Sequence, residues 1–264
     1  MLQYQKMNRA GWEHLARHGC EFCRPCRSED LAYATQLLDP QSWIPWSRIR
    51  SVLCLASGGG QQGPLFASLG YDVTVVDLSP EQLRRDRVTA EEFGLQLECV
   101  EADMCDLAQL SDRQFDLVYQ AVSACYVPNV RQLYDQVFQV LKPNGLYHVE
   151  HWTPIHLQLP QYGAWDGGAY RIVHPQNQGK PVQWREWEED GNENPTCWHY
   201  IHSLDHLIGD LCEAGFAIER FGECPSQNLS AEPASPEHLA TFAPPYFTML
   251  SRRLSRAHPR IPAL

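Results

Sequence analysis

Several things are scarce in this sequence, and each absence narrows it. Positive charge is short: 32 acidic residues against 21 Lys and Arg leave a formal charge of -11. Phosphate backbones are bound by basic surfaces, so this balance argues against a nucleic-acid partner. Arg252, Arg253 and Arg256 near the C-terminus form a small basic cluster, and no longer basic run stands out. The opening residues Met1-Leu-Gln-Tyr-Gln-Lys6 lack the apolar core of a signal peptide, and no apolar run approaches the ~20 residues that cross a bilayer. A cytoplasmic protein with no membrane partner is expected. Internal repeats and low-complexity tracts are also missing.

Cysteine, by contrast, is plentiful, at ten residues. Cys54, Cys99, Cys105, Cys125 and Cys212 lie in or beside apolar runs, where a free thiol acts as a small hydrophobe. Cys20, Cys23 and Cys26 stand apart, spaced C-x2-C-x2-C with His14 and His18 upstream. They read either as a metal site or as thiols in an exposed turn around Pro25. No second, distant Cys pair completes a zinc pattern, so no metal is assigned.

The chain is organised around Ser51-Val-Leu-Cys-Leu-Ala-Ser-Gly-Gly-Gly60 and Val73-Thr-Val-Val-Asp77. Two short apolar runs read as buried parallel strands. The glycines after the first let the backbone turn sharply and approach a ligand. A helix from Gln62 to Leu69, stopped by Gly70, points its free N–H groups over them. Asp77, closing the second strand, is placed to accept ribose hydroxyls. Gly58, Gly60 and Gly63 also satisfy G-x-G-x-x-G, so NAD and an oxidoreductase remain a rival reading at this point, as does a non-catalytic nucleoside sensor.

Strand and helix alternate onward. Ser79-Pro80 begins a helix that Gly94 stops. Residues 95–100 form a third strand and 115–120 a fourth. Val130, Leu133, Tyr134, Val137, Phe138 and Leu141 mark an amphipathic helix, and 146–152 a fifth strand. Short turns between such elements imply a parallel sheet covered on both faces. Residues 153–202 break the rhythm: 170–174 and 181–187 read as a hairpin across Gln-Asn-Gln-Gly, with 198–202 as a third strand. A helix from Ser203, a strand at 216–221 and a last strand at 246–250 follow. The expected organisation is an N-terminal extension (1–49), a Rossmann-like core (50–152), a Trp-rich β insertion (153–202), the remainder of the core (203–254) and a tail (255–264). Over the core, the extension reads as edge packing or as a flap.

Asp103 closing the third strand, Gln120 ending the fourth and Leu141-Lys-Pro-Asn-Gly145 before the fifth carry a resemblance to the class I S-adenosylmethionine-dependent methyltransferases, bacterial small-molecule type. The resemblance covers residues 50–152 and, more loosely, 203–221. It implies an α/β Rossmann-like fold with a mostly parallel seven-stranded sheet, its last strand antiparallel. It also implies S-adenosylmethionine as cofactor. Ala56, Ser57, Gly58 and Gly60 then wrap the methionine part and Asp77 the ribose. Leu78 packs on adenine, Asp103 and Met104 border it, and Gln120 lies near the methionine end. Two positions depart from the family pattern: Cys54 replaces an acid many members carry, and Ala56 a glycine.

Methyl transfer from a sulfonium mainly needs alignment, with a base only where the acceptor must lose a proton. His148, Glu150 and His151 near the end of the fifth strand are candidates, with Tyr126 as a further one. Trp165, Trp184 and Trp187 of the insertion are candidate walls for an apolar or planar substrate. His199, His202 and His206 have metal-like spacing, but Ser203 starts a helix between them, which favours capping or solvent-facing roles.

Overall fold

The structure, a computed structural model, describes residues 1–159, 165–176, 179–184, 197–224, 228 and 230–255. In chain order the elements are α1 (Gln3–Arg17), α2 (Ala34–Leu38), β1 (Ser51–Leu55), α3 (Gln62–Ser68), β2 (Asp72–Asp77), α4 (Pro80–Glu92), β3 (Glu98–Glu101), β4 (Phe115–Gln120), α5 (Val130–Val140) and β5 (Leu141–Trp152). They continue with α6 (Pro154–Leu157), β6 (Val182–Trp184), β7 (Cys197–His199), α7 (Asp210–Glu213), β8 (Phe216–Glu223), α8 (Pro236–Phe242) and β9 (Tyr246–Arg253).

Seven strands form one sheet in the order β3-β2-β1-β4-β5-β9-β8, with β9 antiparallel to both neighbours. The period-two alternation divides each strand between two cores. Leu53 and Leu55 of β1, with Tyr147 and Val149 of β5, face a cluster built with α5, α7 and α1. Val52 and Cys54 face the other, with Leu38 of α2, Leu65 and Phe66 of α3 and Ile49. Both faces are therefore covered, as a parallel sheet requires.

Local chemistry sets the boundaries. Ser79 Oγ accepts the Gln82 N–H at 3.3 Å to cap α4, with Pro80 at its first position. Asn129 caps α5 by accepting the Gln132 N–H at 3.3 Å. The third strand is shorter than its alternation suggests. Its pairing with β2 begins at Thr74↔Glu98, so Leu95 and Leu97 lie before it. The fifth strand begins earlier than expected, at Leu141, because Leu141 already pairs with Phe115. Register then shifts to Leu117↔Leu146, and Lys142-Pro-Asn-Gly145 bulges out between these pairs. A Cβ on Gly145 would meet the Lys142 carbonyl oxygen at 2.8 Å, which is why glycine ends the bulge.

The insertion pairs differently from the sequence expectation. Residues 170–174 form no strand, and Val182–Trp184 pairs antiparallel with Cys197–His199. Alternation signalled strands at 181 and 198 but could not show that they pair with each other across the intervening residues. After Ser203, whose Oγ accepts the His206 N–H at 3.2 Å, Asp205–Gly209 is a wider π-turn leading into α7.

Helix α1 buries Tyr4, Asn8, Gly11 and Leu15, a 4-3-4 spacing that places them on one face. A Cβ on Gly11 would sit 2.6 Å from Cys197 Sγ, so glycine permits the close approach of α1 to β7. Asn8 ties the contact by donating to the Tyr126 carbonyl (2.9 Å) and accepting from the Trp198 N–H (2.6 Å).

Candidate active site

The C-terminal ends of β1, β2, β4 and β5 open into a cavity of about 360 Å³. This is the position at which open α/β sheets bind ligands, and the volume suits a small-molecule ligand.

One wall is the turn after β1. Ala56 (φ 47°), Gly59 (φ 118°) and Gly60 (φ 81°) carry the backbone through the left-handed region, with Ala56 doing so despite its Cβ. A Cβ on Gly58 would lie 2.7 Å from Gln82 Cβ and 3.0 Å from Asp77 Oδ2. Asp77 holds this turn directly. Its Oδ2 accepts the Gly58 N–H at 3.0 Å and its Oδ1 the Ser79 N–H at 2.8 Å. Desolvation raises its pKa, although these N–H bonds oppose the rise.

Asp86, not singled out from the sequence, supports the same turn from α4. It is fully buried, accepts the Gly59 N–H at 2.8 Å, and has its pKa pushed up to about 8 by burial. Gln82, Asp86 and Thr89 are all buried, with Ser79 capping the helix. Polar side chains at the 3-4-3 spacing normally reserved for a core stripe were the available signal for this support.

The adjoining wall contains Leu78, Ala102, Asp103 and Met104. Asp103 Oδ1 accepts the Cys105 N–H at 2.7 Å, while Oδ2 accepts the Tyr4 hydroxyl at 2.6 Å and the Gln5 amide at 2.5 Å. The acid after β3 is thus engaged by α1. Tyr4, Asn8, Arg9, Trp12 and Phe22 line the cavity, so the N-terminal segment covers it and is more than edge packing.

The remaining wall is aromatic. Trp12 meets Tyr126 edge-on at 5.5 Å between centroids, and Trp152 lies 4.4 Å from Tyr246. Glu150 projects between these elements, half-buried, with no hydrogen-bond or ion-pair partner among the described residues. Burial raises its pKa.

Of the sequence candidates, Ala56, Ser57, Gly58, Asp77, Leu78, Asp103, Met104, Tyr126 and Glu150 meet at this cavity. Five others, Gly60, Gln120, His148, His151 and Trp165, are placed elsewhere. Gly60 lies behind the turn, its carbonyl accepting the Cys26 N–H at 2.8 Å. Gln120 is buried beneath the floor, bonded by Tyr147 and donating to Ser123 Oγ at 2.8 Å; the cavity wall starts one residue later, at Ala121.

His148 stacks on Tyr119 at 4.8 Å, inside the core, and burial lowers its pKa to about 4. His151 faces the other core, donating to the Tyr134 hydroxyl at 3.3 Å, with its pKa lowered to about 3 by burial. His148 lies short of the crevice, and His151, although beside Glu150, points to the opposite face and into a packed layer.

Trp165 packs on Tyr170, His238 and Phe242, away from the cavity. Trp187 and the Trp184 side chain lie outside the described residues. The tryptophans that do line the cavity, Trp12 of α1 and Trp152 at the end of β5, lie outside the insertion and were not expected there. His199 packs on Tyr126 at 4.8 Å, and His202 donates to the Val127 carbonyl at 3.0 Å. Among the described residues, no group of three His, Cys, Asp or Glu side chains converges as a metal site. No described helix is long and apolar enough to cross a membrane.

Residues 53–149 match the family model described as a methyltransferase domain. The chain is 35% identical over 185 residues to an uncharacterized methyltransferase, YbaJ, of Bacillus subtilis (strain 168), covering 70% of this chain and 72% of the relative. It is 32% identical over 206 residues to the uncharacterized protein Rv1403c of Mycobacterium tuberculosis (strain ATCC 25618 / H37Rv), covering 74% and 69%. An S-adenosylmethionine-dependent methyltransferase structure from Mesorhizobium loti superposes with a TM-score of 0.61 at 23% identity, covering 84% of this chain and 100% of that one. The glycine turn, the acid closing β2, the 3-2-1-4-5 strand order with its antiparallel β9, and these likenesses agree: the chain belongs to the class I S-adenosylmethionine-dependent methyltransferases, acting on a small molecule.

Proposed function

We propose that the two ends of the cavity divide the work, the glycine-turn end holding the cofactor and the aromatic end the methyl acceptor, with Glu150 facing the acceptor. The turn fits the cofactor because it has no room for a side chain at Gly58 and because each Asp77 oxygen, holding one N–H, retains a lone pair toward the cavity. Ala56, Ser57 and Gly58 would hold its amino-acid part, Asp77 the ribose hydroxyls, and Leu78, Asp103 and Met104 the adenine. S-adenosylmethionine supplies a methyl already activated on a sulfonium.

What remains for the protein is positioning, water exclusion and disposal of a proton. Trp12, Tyr126, Trp152 and Tyr246 offer flat apolar surface that seats a planar or aliphatic acceptor and displaces water. Glu150 carries this reading, because a cavity carboxylate without a partner among the described residues can accept the N–H or O–H of the acceptor. Burial, by raising its pKa, makes it a better proton acceptor than an ordinary surface carboxylate. It orients the nucleophile and takes the proton that nucleophile gives up on methylation.

The test is single-turnover transfer of labelled methyl to fractionated metabolites by wild type and Glu150→Gln. The variant should transfer about 100-fold more slowly or worse, while cofactor affinity stays within about twofold. Undiminished transfer, or matched losses of transfer and cofactor affinity, would remove Glu150 from this role.

A further inference from the structure

The Cys20–Cys23 pair has no part in the transfer chemistry described above, yet it sits in the segment that covers the cavity. Cys20 caps a single 3-10 turn, Glu21–Cys23, and the Cys23 N–H donates to the Cys20 carbonyl at 2.9 Å. The turn places the two cysteines at its two ends, near enough that each thiol shifts the acidity of the other. Cys20 is partly exposed and Cys23 fully buried, an arrangement of one attacking and one resolving sulfur.

The same turn is fastened to the cofactor end at several points. The Gln82 amide donates to Cys23 Sγ at 3.1 Å, and Gln82 also lines the cavity and accepts the Gly59 N–H through its carbonyl at 3.2 Å. Arg85 donates to the Cys23 carbonyl at 2.6 Å. Gln61 donates to the Phe22 and Arg24 carbonyls, both at 2.9 Å, and Phe22 itself is a cavity wall.

We propose that Cys20 and Cys23 form a reversible dithiol–disulfide site whose closure loosens the cover of the cavity and weakens cofactor binding. The oxidant is a low-molecular-weight disulfide. The Cys20 thiolate attacks one of its sulfurs, forming a mixed disulfide and expelling one thiolate. Cys23 then attacks the Cys20 sulfur, expelling the second small thiol and passing its own proton to it. Two protein thiols are oxidised by two electrons, and one small disulfide is reduced to two thiols. Residues three apart in a tight turn lie within the Cα separation a disulfide tolerates.

Reactivity agrees with this geometry. The neighbouring Cys23 thiol holds the Cys20 thiol below its ordinary value, which favours the Cys20 thiolate. The Cys54, Cys99, Cys105, Cys212 and Cys224 thiols are all pushed up by burial, as is Cys26, to about 11. Once Cys23 is bonded to Cys20, its sulfur turns from the Gln82 amide. Loss of one such hydrogen bond corresponds to a roughly 2- to 10-fold weaker cofactor dissociation constant.

The experiment exposes reduced full-length protein to oxidised glutathione, alkylates the remaining thiols and maps peptides by mass spectrometry, with calorimetric titration of S-adenosylmethionine in parallel. The Cys20–Cys23 disulfide should form ahead of any other pair. Cofactor affinity should fall about 2- to 10-fold and return on adding dithiothreitol. Cys20→Ser should lose the response, and Cys23→Ser should stop at glutathione on Cys20. Free, alkylated Cys20 and Cys23 after treatment, or pairing of either with another cysteine, would overturn the site. A closed disulfide without a change in affinity would overturn its coupling to the cofactor end. The peptide map needs no variant, so a folding defect in Cys23→Ser leaves the proposal testable.

Discussion

Replacing Asp77 with alanine tests the cofactor end most directly. The carboxylate holds two backbone N–H groups, Gly58 at 3.0 Å and Ser79 at 2.8 Å, and leaves one lone pair per oxygen toward the cavity. Hydrogen bonds to a charged acceptor contribute about 1.5–3 kcal/mol each. Two ribose hydroxyls lost together therefore weaken S-adenosylmethionine binding by about 100-fold or more, since 1.4 kcal/mol is about tenfold. Stability behaves differently. Two N–H groups lose their acceptor, but the substitution also removes a carboxylate whose burial raises its pKa and so disfavours its charge. These partly cancel, leaving a net loss of about 1 kcal/mol.

Asparagine separates the contributions. Its carbonyl oxygen replaces one acceptor, whereas its NH2 group faces either the Gly58 or the Ser79 N–H, donor against donor. Affinity should fall between wild type and alanine, with the turn disturbed at one of the two N–H groups. Calorimetry reads the affinities and urea unfolding the stabilities. Wild-type affinity in Asp77→Ala would place the nucleoside elsewhere. A collapse of stability with unchanged affinity in the folded fraction would make Asp77 a structural strut only.

Gly58→Ala should lower cofactor affinity at least tenfold and cost about 1–3 kcal/mol, because the new methyl would lie 2.7 Å from Gln82 Cβ. An unchanged melting temperature and dissociation constant would contradict that clash. The pH dependence should expose His148, whose folded pKa of about 4 lies below the ordinary value near 6.5. The unfolded chain then binds more protons between those values, so this contribution is present above about 6.5 and is lost as pH falls toward 4. Between pH 7 and 5 the loss is about 2 kcal/mol. His148→Phe, which keeps a ring against Tyr119, should remove that much of the acid sensitivity; an identical pH profile would show that the imidazole is not buried neutral.

The sequence made legible the parts whose signals are local. The β1 turn and Asp77 sit within 27 residues of each other, and their apolar runs, glycines and caps mark each element. The mostly parallel seven-stranded sheet and its reversed last strand agreed with the family resemblance. What escaped depends on distant pairing. Tyr4 reaches Asp103 across 99 residues and Asn8 reaches Trp198 across 190, and no periodicity reports such contacts. Position near the end of β5 suggested three catalytic candidates, but only the face and the point where packing stops decide that Glu150 reaches the cavity and His148 and His151 do not. Trp165 was credited to the cavity on composition, and composition does not say which aromatic cluster a residue joins.

The docking of α1 has a consequence for how the cavity opens. Its ties to the β-sheet core run through side chains, from Tyr4 and Gln5 to Asp103 and from Asn8 to Tyr126, while the sheet is held by continuous backbone ladders. Undocking one helix therefore uncovers the ligand without breaking a single rung of those ladders. Such a partial opening costs far less than global unfolding and defines a separate cooperative unit. A ligand entering by that route would wait on the undocking of α1, while the strands that position Asp77 and Glu150 stay in register.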